Sequence, residues 1–153
     1  MTTAQATWVG PGLRLVGEAN QGPAIVVDSS KAPLGTHSGP TPMELVLMGL
    51  AGCTGMDVIS VLNKMRQPFT GVQVLVEGEQ ADANPKVYTK ILVTYHVYGK
   101  GVDPKAVARA VELSETTYCP VMAMLRKTAE ITTQYQIIED QLLPNMPGDK
   151  AGA

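Results

Sequence analysis

Two cysteines, Cys53 and Cys119, have the residue type and local setting that best fit covalent chemistry in this chain. Cys53 lies within a run of apolar residues and glycines. Cys119 directly precedes Pro120, a position typical of the residue that caps the N-terminus of a helix. The partial positive charge and free amides of such a terminus favour a thiolate, so we expect a lowered pKa for Cys119. A single cysteine in either setting is more often an unreactive small apolar residue than a nucleophile. The presence of two such cysteines, and no others, modestly raises the probability that they react.

Other site classes have weaker support. His37 falls in a loop and His96 in a strand, and the sequence has no C-x-x-C or H-x-x-x-H spacing, so we expect no metal site. The glycines near Cys53 lie within a helix rather than between a strand and a helix, which argues against a phosphate-binding loop. We therefore expect no cofactor. Asp57 follows Cys53 by four residues and shares its helix face, where it could hold an arginine or raise the thiol pKa by repulsion.

The helix that carries Cys53 has a clear start. Thr41 is the expected N-cap, Pro42 occupies the first helical position and Glu44 completes a capping box, with the helix running to about Met65. Its first half is apolar all round, which is typical of a helix buried on every side. Its uncharged apolar stretch, residues 45–56, is shorter than the roughly 20 residues of a membrane span. Three glycines there indicate close approach of another backbone, a small cavity beside Cys53, or both.

The remaining patterns predict an α+β domain. The predicted strands cover residues 4–9, 13–16, 24–28, 72–80, 87–98 and 132–138, with the fourth and fifth forming an antiparallel hairpin. Further helices are predicted from about Pro104 to Tyr118 and from Pro120 to Lys127. We expect a single domain over residues 1–143 and a flexible tail over residues 144–153.

Composition narrows the partners and the compartment. Charged residues make up 17% and hydrophobic residues 44%, the net charge is −2, and no run of Lys or Arg occurs. These values argue against nucleic acid and anionic membranes as partners. Two thiols are too few for a disulfide scaffold and the N-terminus lacks the pattern of a signal peptide, which predicts a cytoplasmic protein with reduced cysteines. The low surface charge suggests that another copy of the chain covers part of the surface.

Two segments match a known family. Thr41-Pro42-Met43-Glu44-Leu45, followed by Gly52-Cys53, resembles the N-P-E-x-L…A-C-F helix of the OsmC/Ohr proteins, the osmotically inducible and organic hydroperoxide resistance proteins. Residues 108–121, ending in Cys119-Pro120-Val121, resemble that family's second helix and its C-P-V/Y-S motif. The order of elements agrees over roughly residues 4–140.

The resemblance implies a fold and an activity. The family fold has antiparallel sheets around two long central helices in an intertwined homodimer. The implied activity is reduction of organic hydroperoxides in oxidative-stress defence, with Cys53 as the peroxidatic thiolate and Cys119 as the resolving thiol. Cys53 would become a sulfenic acid, condense with Cys119 to a disulfide, and be restored by an external dithiol.

The resemblance also implies a cation near the thiolate and a glutamate that orients it. Glu44 occupies the glutamate position, and Arg14 is the candidate cation because the loop before the helix holds no arginine. Each has a structural alternative, Glu44 as part of the capping box and Arg14 as an exposed strand residue. Nine residues separate Glu44 from Cys53, a net half turn of helix, so Glu44 would serve the Cys53 of the partner subunit.

The sequence departs from the family peroxidases beside the first cysteine, where Thr54 replaces an aromatic residue. This departure keeps open two alternatives to a peroxidase, a non-catalytic dimer that binds a small molecule and a redox-sensing dimer. A peroxidase needs a cation near Cys53, whereas a binding protein does not, so the role of Arg14 separates the first two functions.

Overall fold

A computed structural model describes residues 1–139 of the chain. These residues fall into two compact units, residues 1–46 and the part that begins at Leu47. Helices and strands both contribute, which confirms the α+β class. The expected domain end at residue 143 and the expected tail, residues 144–153, lie outside the described residues.

The first unit is built on a three-stranded antiparallel sheet with strands in the order β1-β2-β3. The strands are β1 (Ala4–Trp8), β2 (Leu15–Ala19) and β3 (Ile25–Val27). The turn after β1 requires Gly12, which has a φ of +65°, and a β-carbon there would lie 2.0 Å from the Leu34 carbonyl oxygen. The three predicted strands are confirmed with shifted ends, but β2 begins at Leu15, so the prediction that Arg14 lies within a strand is wrong.

A buried carboxylate, Asp28, organises the loop that follows β3. Its side chain is 2% exposed. It accepts hydrogen bonds from the Ser29 amide, the Thr36 hydroxyl, and both the amide and the hydroxyl of Ser38. These donors, the Ser38 hydroxyl foremost, hold the pKa of Asp28 well below its usual range. The loop therefore depends on a charged carboxylate for its hydrogen bonds.

The first helix, α1 (Pro42–Lys64), begins with the predicted capping box. The Glu44 amide donates to Thr41 Oγ1 at 3.2 Å, and Glu44 Oε2 accepts from the Thr41 amide at 2.7 Å and from its hydroxyl at 2.9 Å. These reciprocal bonds satisfy amides that the first helical turn leaves without partners.

The second unit contains a mixed sheet. Its strands are β4 (Gly71–Gln80), β5 (Tyr88–Tyr98) and β6 (Glu130–Ile138), in the order β4-β5-β6. The predicted antiparallel hairpin of β4 and β5 is confirmed. β6 pairs with β5 in parallel, however, whereas antiparallel sheets were expected. A helical crossover between β5 and β6 returns the chain to the same end of the sheet, which makes a parallel pair.

That crossover contains α2 (Pro104–Leu113), a π-helical turn (Ser114–Tyr118) and α3 (Pro120–Leu125). The predicted helix to Tyr118 is confirmed in position, but its last five residues are π-helical, with the Cys119 amide donating to the Ser114 carbonyl at 3.0 Å. An extra residue in one helical turn is often found at functional sites.

One face of α1 packs into the core of the second unit. Leu50, Thr54, Val58 and Leu62 are fully buried and recur at helical spacing. The core is completed by side chains of β5 and α2, namely Ile91, Val93, Tyr95, Val97, Ala106, Val107, Ala110 and Val111. The opposite face of α1 is open in a single chain. The expectation of a helix buried on every side is therefore wrong for one copy of the chain.

By length and apolar composition alone, α1 could cross a membrane. Core helices of globular proteins often meet the same two criteria. Within the described chain 33% of its most apolar window is buried. The buried face, with the polar side chain of Thr54 at its centre, is that of a core helix.

We expect Asp28 to make folding sensitive to acid. A folded-state pKa below the unfolded value, about 3.9 for Asp, gives stability that is present above that value and lost as the pH falls through the folded-state pKa. Urea unfolding at a series of pH values below about 5 should therefore show a steeper loss of unfolding free energy for wild type than for Asp28→Asn. Equal slopes for the two proteins would contradict this account.

Candidate functional site

The two cysteines meet in the second unit. The Sγ atoms of Cys53 and Cys119 and a carboxylate oxygen of Asp57 all lie within 4.8 Å of one another. Both cysteines are free thiols. A disulfide joins sulfurs at about 2.05 Å, so these two atoms need to approach by less than about 3 Å. The structure thus brings together residues from two motifs that are far apart in the sequence.

Local helix geometry explains the positions of the three side chains. Cys53 and Asp57 are four residues apart on α1 and share one face, as predicted. Cys119 is the N-cap of α3, where its Sγ accepts a hydrogen bond from the Met122 amide at 3.4 Å and Pro120 follows directly. The predicted cap is confirmed.

The predicted effect of that cap on acidity is wrong. Cys119 is 4% exposed, and burial is the largest cause that raises the pKa of its thiol, to about 11. A hydrogen bond with Cys53 and the negative charge of Asp57 raise the pKa further, and the Met122 amide lowers it only in part. Desolvation of the thiolate therefore outweighs the favourable helix terminus. Cys53 is only half-buried, so the two thiols differ in access.

Three buried hydroxyls connect the core to Asp57. Tyr95 Oη lies 2.5 Å from Thr54 Oγ1, which lies 2.7 Å from Ser114 Oγ. Ser114 Oγ in turn donates to Asp57 Oδ2 at 2.9 Å. Thr54, Tyr95 and Ser114 are each 0% exposed, and burial raises the pKa of Tyr95 to about 12. We call these three side chains the hydroxyl row.

The hydroxyl row was not predicted from the sequence. Its signal is present, because Thr54 lies one turn after Leu50 and one turn before Val58, on the apolar face that α1 buries. A hydroxyl on such a face needs a partner in the core. Its partners, Tyr95 and Ser114, come from distant segments and could not be paired with it from the sequence.

Arg14 and Glu44 belong to the first unit. Arg14 Nε donates to Ser38 Oγ at 2.8 Å, and Nη2 donates to Thr36 Oγ1 at 3.1 Å, which ties the guanidinium to the loop that Asp28 organises. The Glu44 carboxylate bonds to Thr41. The capping role of Glu44 is thus confirmed, while the roles of both residues towards a thiol stay predictions.

Cys53, Asp57 and Cys119 also form the group of potential metal ligands found among residues 1–139. Zn²⁺ can be held by three protein ligands with water in the fourth position. Metal binding and disulfide formation exclude each other at this site because each uses both sulfurs.

A cleft of about 280 Å³ reaches the site from solvent. Asp57 forms part of its wall, together with Ser60, Val61, Lys64 and Tyr118. The carboxylate thus accepts a hydrogen bond from the hydroxyl row and also lines an open cleft.

Comparisons with known proteins agree on the relationship of the chain. Residues 35–134 match the family model of OsmC-like protein. Protein YhfA of Escherichia coli (strain K12) is 37% identical over 135 residues, which cover 88% of this chain and 97% of YhfA. The crystal structure of a hypothetical protein from Aquifex aeolicus VF5 has a TM-score of 0.79 and 26% identity, with 92% and 98% of the two chains covered.

An organic hydroperoxide resistance protein OsmC from Legionella pneumophila has a more distant likeness. Its crystal structure gives a TM-score of 0.62 at 18% identity, and the match covers 91% of this chain and 96% of the Legionella chain. At this identity the likeness is one of fold.

Proposed function

Because the chain belongs to the OsmC-like protein family, as its two motifs predicted, we propose that it is a thiol-dependent peroxidase that reduces organic hydroperoxides in oxidative-stress defence. The observation that carries the proposal is the meeting of Cys53 and Cys119 within 4.8 Å beside Asp57. The Legionella protein of the same fold is an organic hydroperoxide resistance protein, which supports this substrate class.

The difference in exposure supports the roles proposed for the two thiols. Half-buried Cys53 is open to a substrate, and its thiolate attacks the O–O bond, so that an alcohol leaves and the sulfur becomes a sulfenic acid. Buried Cys119 then attacks that sulfur, an S–S bond forms, and the sulfenic oxygen leaves as water. An external dithiol reduces the disulfide and restores both thiols.

The surroundings of Cys53 favour an apolar hydroperoxide. Met56, three residues further along α1, is 72% exposed. Polarisable methionine side chains adapt to irregular apolar groups. A hydroperoxide with an alkyl or aryl group would bury that group between this surface and the partner subunit, which hydrogen peroxide cannot do.

A second copy of the chain completes the proposed enzyme by covering the open face of α1. That face carries Met48, Met56 and Ile59, all exposed in one chain. A β-carbon added at Gly49 or Gly52 would meet nothing within 4 Å, so this surface is open to another backbone. An apolar helix face of this kind is typical of an obligate interface. The proposed assembly is a homodimer in the cytoplasm, where thiols are kept reduced.

Arg14 and Glu44 are the proposed cation and its orienting carboxylate. A guanidinium near Cys53 would stabilise the thiolate and the oxygen that leaves as the O–O bond breaks. Two hydrogen bonds already hold the Arg14 guanidinium against the loop. The side chain would therefore lose less conformational entropy when it binds the thiolate. Helix periodicity turns Glu44 and Cys53 to opposite sides of α1, so each Glu44 is assigned to the site of the partner subunit.

A non-catalytic small-molecule-binding or redox-sensing dimer is the second candidate. Thr54 favours this candidate, because it occupies the position where family peroxidases carry an aromatic residue. Its hydroxyl makes hydrogen bonds within the core, to Tyr95 and Ser114. A sensor would form the same disulfide but would not turn over hydroperoxide.

We expect wild type to consume cumene hydroperoxide when a dithiol is supplied, and Cys53→Ser to lose at least about 100-fold in rate because the attacking thiolate is gone. Without a dithiol, Cys119→Ser should react once and retain a sulfenic or sulfinic acid on Cys53, as measured by mass spectrometry. Equal turnover in both serine variants would overturn the peroxidase. Disulfide formation without turnover in wild type would favour the sensor.

We expect Glu44→Ala to lower the peroxidase rate beyond its effect on stability. Thr41→Ala is the matched control, because it breaks the same capping box, at about 0.5–2 kcal/mol, but keeps the carboxylate. Mixed dimers of Glu44→Ala and Cys53→Ser subunits should regain activity in one of their two sites. If Glu44→Ala and Thr41→Ala have the same rate per site, Glu44 serves as a cap only.

A further inference from the structure

The hydroxyl row has a fixed direction of hydrogen bonding. A carboxylate oxygen accepts only, so the single hydroxyl hydrogen of Ser114 is used on Asp57 Oδ2. The bond between Thr54 and Ser114 must then use the hydrogen of Thr54, and the bond between Tyr95 and Thr54 must use that of Tyr95. All three hydroxyls therefore donate in the direction of Asp57.

A row of aligned hydroxyls holds the carboxylate in place. Each bond polarises the next, and a buried row is stronger than the same bonds in water. Ser114 has a second role, since its carbonyl accepts the Cys119 amide at 3.0 Å across the π-helical turn. One residue thus positions Asp57 through its side chain and Cys119 through its backbone.

The resolving step places a specific demand on this site. Cys119 is 4% exposed, and such burial favours the protonated thiol over the charged thiolate. To form a disulfide its sulfur must lose that proton as it attacks, and little water can reach a side chain with this low exposure. A base within reach of the thiol would remove this barrier.

We propose that Asp57 is the acid–base residue of the resolving step, held in place by the hydroxyl row of Tyr95, Thr54 and Ser114. As Cys119 attacks the oxidised sulfur of Cys53, an S–S bond forms, the bond from Cys53 to its leaving group breaks, and Asp57 accepts the Cys119 proton. When Cys53 is a sulfenic acid, the leaving group is hydroxide, and Asp57 returns the proton to it to form water. The sulfenic-acid case rests on the peroxidase function proposed above.

The geometry meets the needs of this transfer. An Asp57 oxygen and both sulfurs lie within 4.8 Å of one another, and catalytic hydrogen bonds often tighten only when the reaction begins. The cleft beside Asp57 gives a path along which a proton exchanges with solvent when the leaving group does not need it.

The test separates the two thiol reactions in time and does not depend on hydroperoxide. Stopped-flow mixing with 4,4′-dithiodipyridine releases one thiopyridone when accessible Cys53 attacks the reagent. A second is released when Cys119 attacks the resulting mixed disulfide. Asp57→Asn keeps the shape and the acceptor for Ser114 but removes the base. Glu112→Gln, which neutralises an exposed carboxylate on α2, is the matched control.

We expect the first release in Asp57→Asn to stay within about threefold of wild type and the second to slow by about 10- to 100-fold at neutral pH. The second rate of the variant should also rise log-linearly between about pH 6 and pH 9, as hydroxide replaces the lost base. Thr54→Val should give a smaller slowing of the second release, and Thr54→Ser, which keeps the hydroxyl, should restore it.

The opposite sign would overturn the proposal. The charge of Asp57 also raises the pKa of Cys119, so if Asp57 acted by repulsion alone, its removal would speed the second release. A faster or unchanged second release in Asp57→Asn, or an equal slowing of both releases, contradicts proton transfer by Asp57. If cumene hydroperoxide is not consumed but the second release depends on Asp57, the peroxidase fails and the role of Asp57 in disulfide formation stands.

Discussion

The arrangement of the second unit depends on the two hydrogen bonds that the Thr54 hydroxyl makes in the middle of α1. Thr54 bonds to Tyr95 on β5 and to Ser114 at the start of the π-helical turn, so one buried side chain joins three elements. A buried hydroxyl left without a partner costs about 1–3 kcal/mol, which penalises any packing that breaks the row. This contact fixes the rotation of α1 about its axis. Because Cys53 and Asp57 lie beside Thr54 on the same helix, their positions at Cys119 follow from it.

Two opposing effects act on the Cys119 thiol, and their balance supports the proposed order in which the two thiols react. The start of α3 offers Cys119 a backbone amide, which favours the thiolate, but burial removes the water that would otherwise solvate that charge. Burial wins, and Cys119 stays protonated while half-buried Cys53 faces solvent. In the proposed reaction, this difference in burial would protect Cys119 from oxidants until Cys53 has reacted. The same burial makes a nearby proton acceptor valuable, and Asp57 is the carboxylate beside both sulfurs.

Much of the fold and of the candidate site was predictable from short segments of sequence. The features that were not predictable depend on contacts between distant segments. The Thr41–Glu44 capping box, the Cys119 cap, the hairpin and the meeting of the two cysteines all follow from local patterns or from the family motifs. The parallel pairing of β6 does not, because it is set by the crossover rather than by the strand itself. The acidity of Cys119 was predicted with the wrong sign because a helix terminus is visible in sequence and burial is not. The π-helical turn was predicted as α-helix because the bonds that hold Ser114 are long-range. They join it to Thr54 and Asp57 on α1, and a local pattern does not show them.

In the proposed function, Cys53 and Cys119 of one chain act as a single redox pair. This pairing is tested most directly by the intact mass of the reduced protein after treatment with one equivalent of cumene hydroperoxide per chain in the absence of any reductant. We expect a loss of about 2 Da per chain and a peptide pair that joins Cys53 to Cys119 within one chain. An unchanged mass, or a gain of oxygen on Cys53 while Cys119 remains a free thiol, would contradict it.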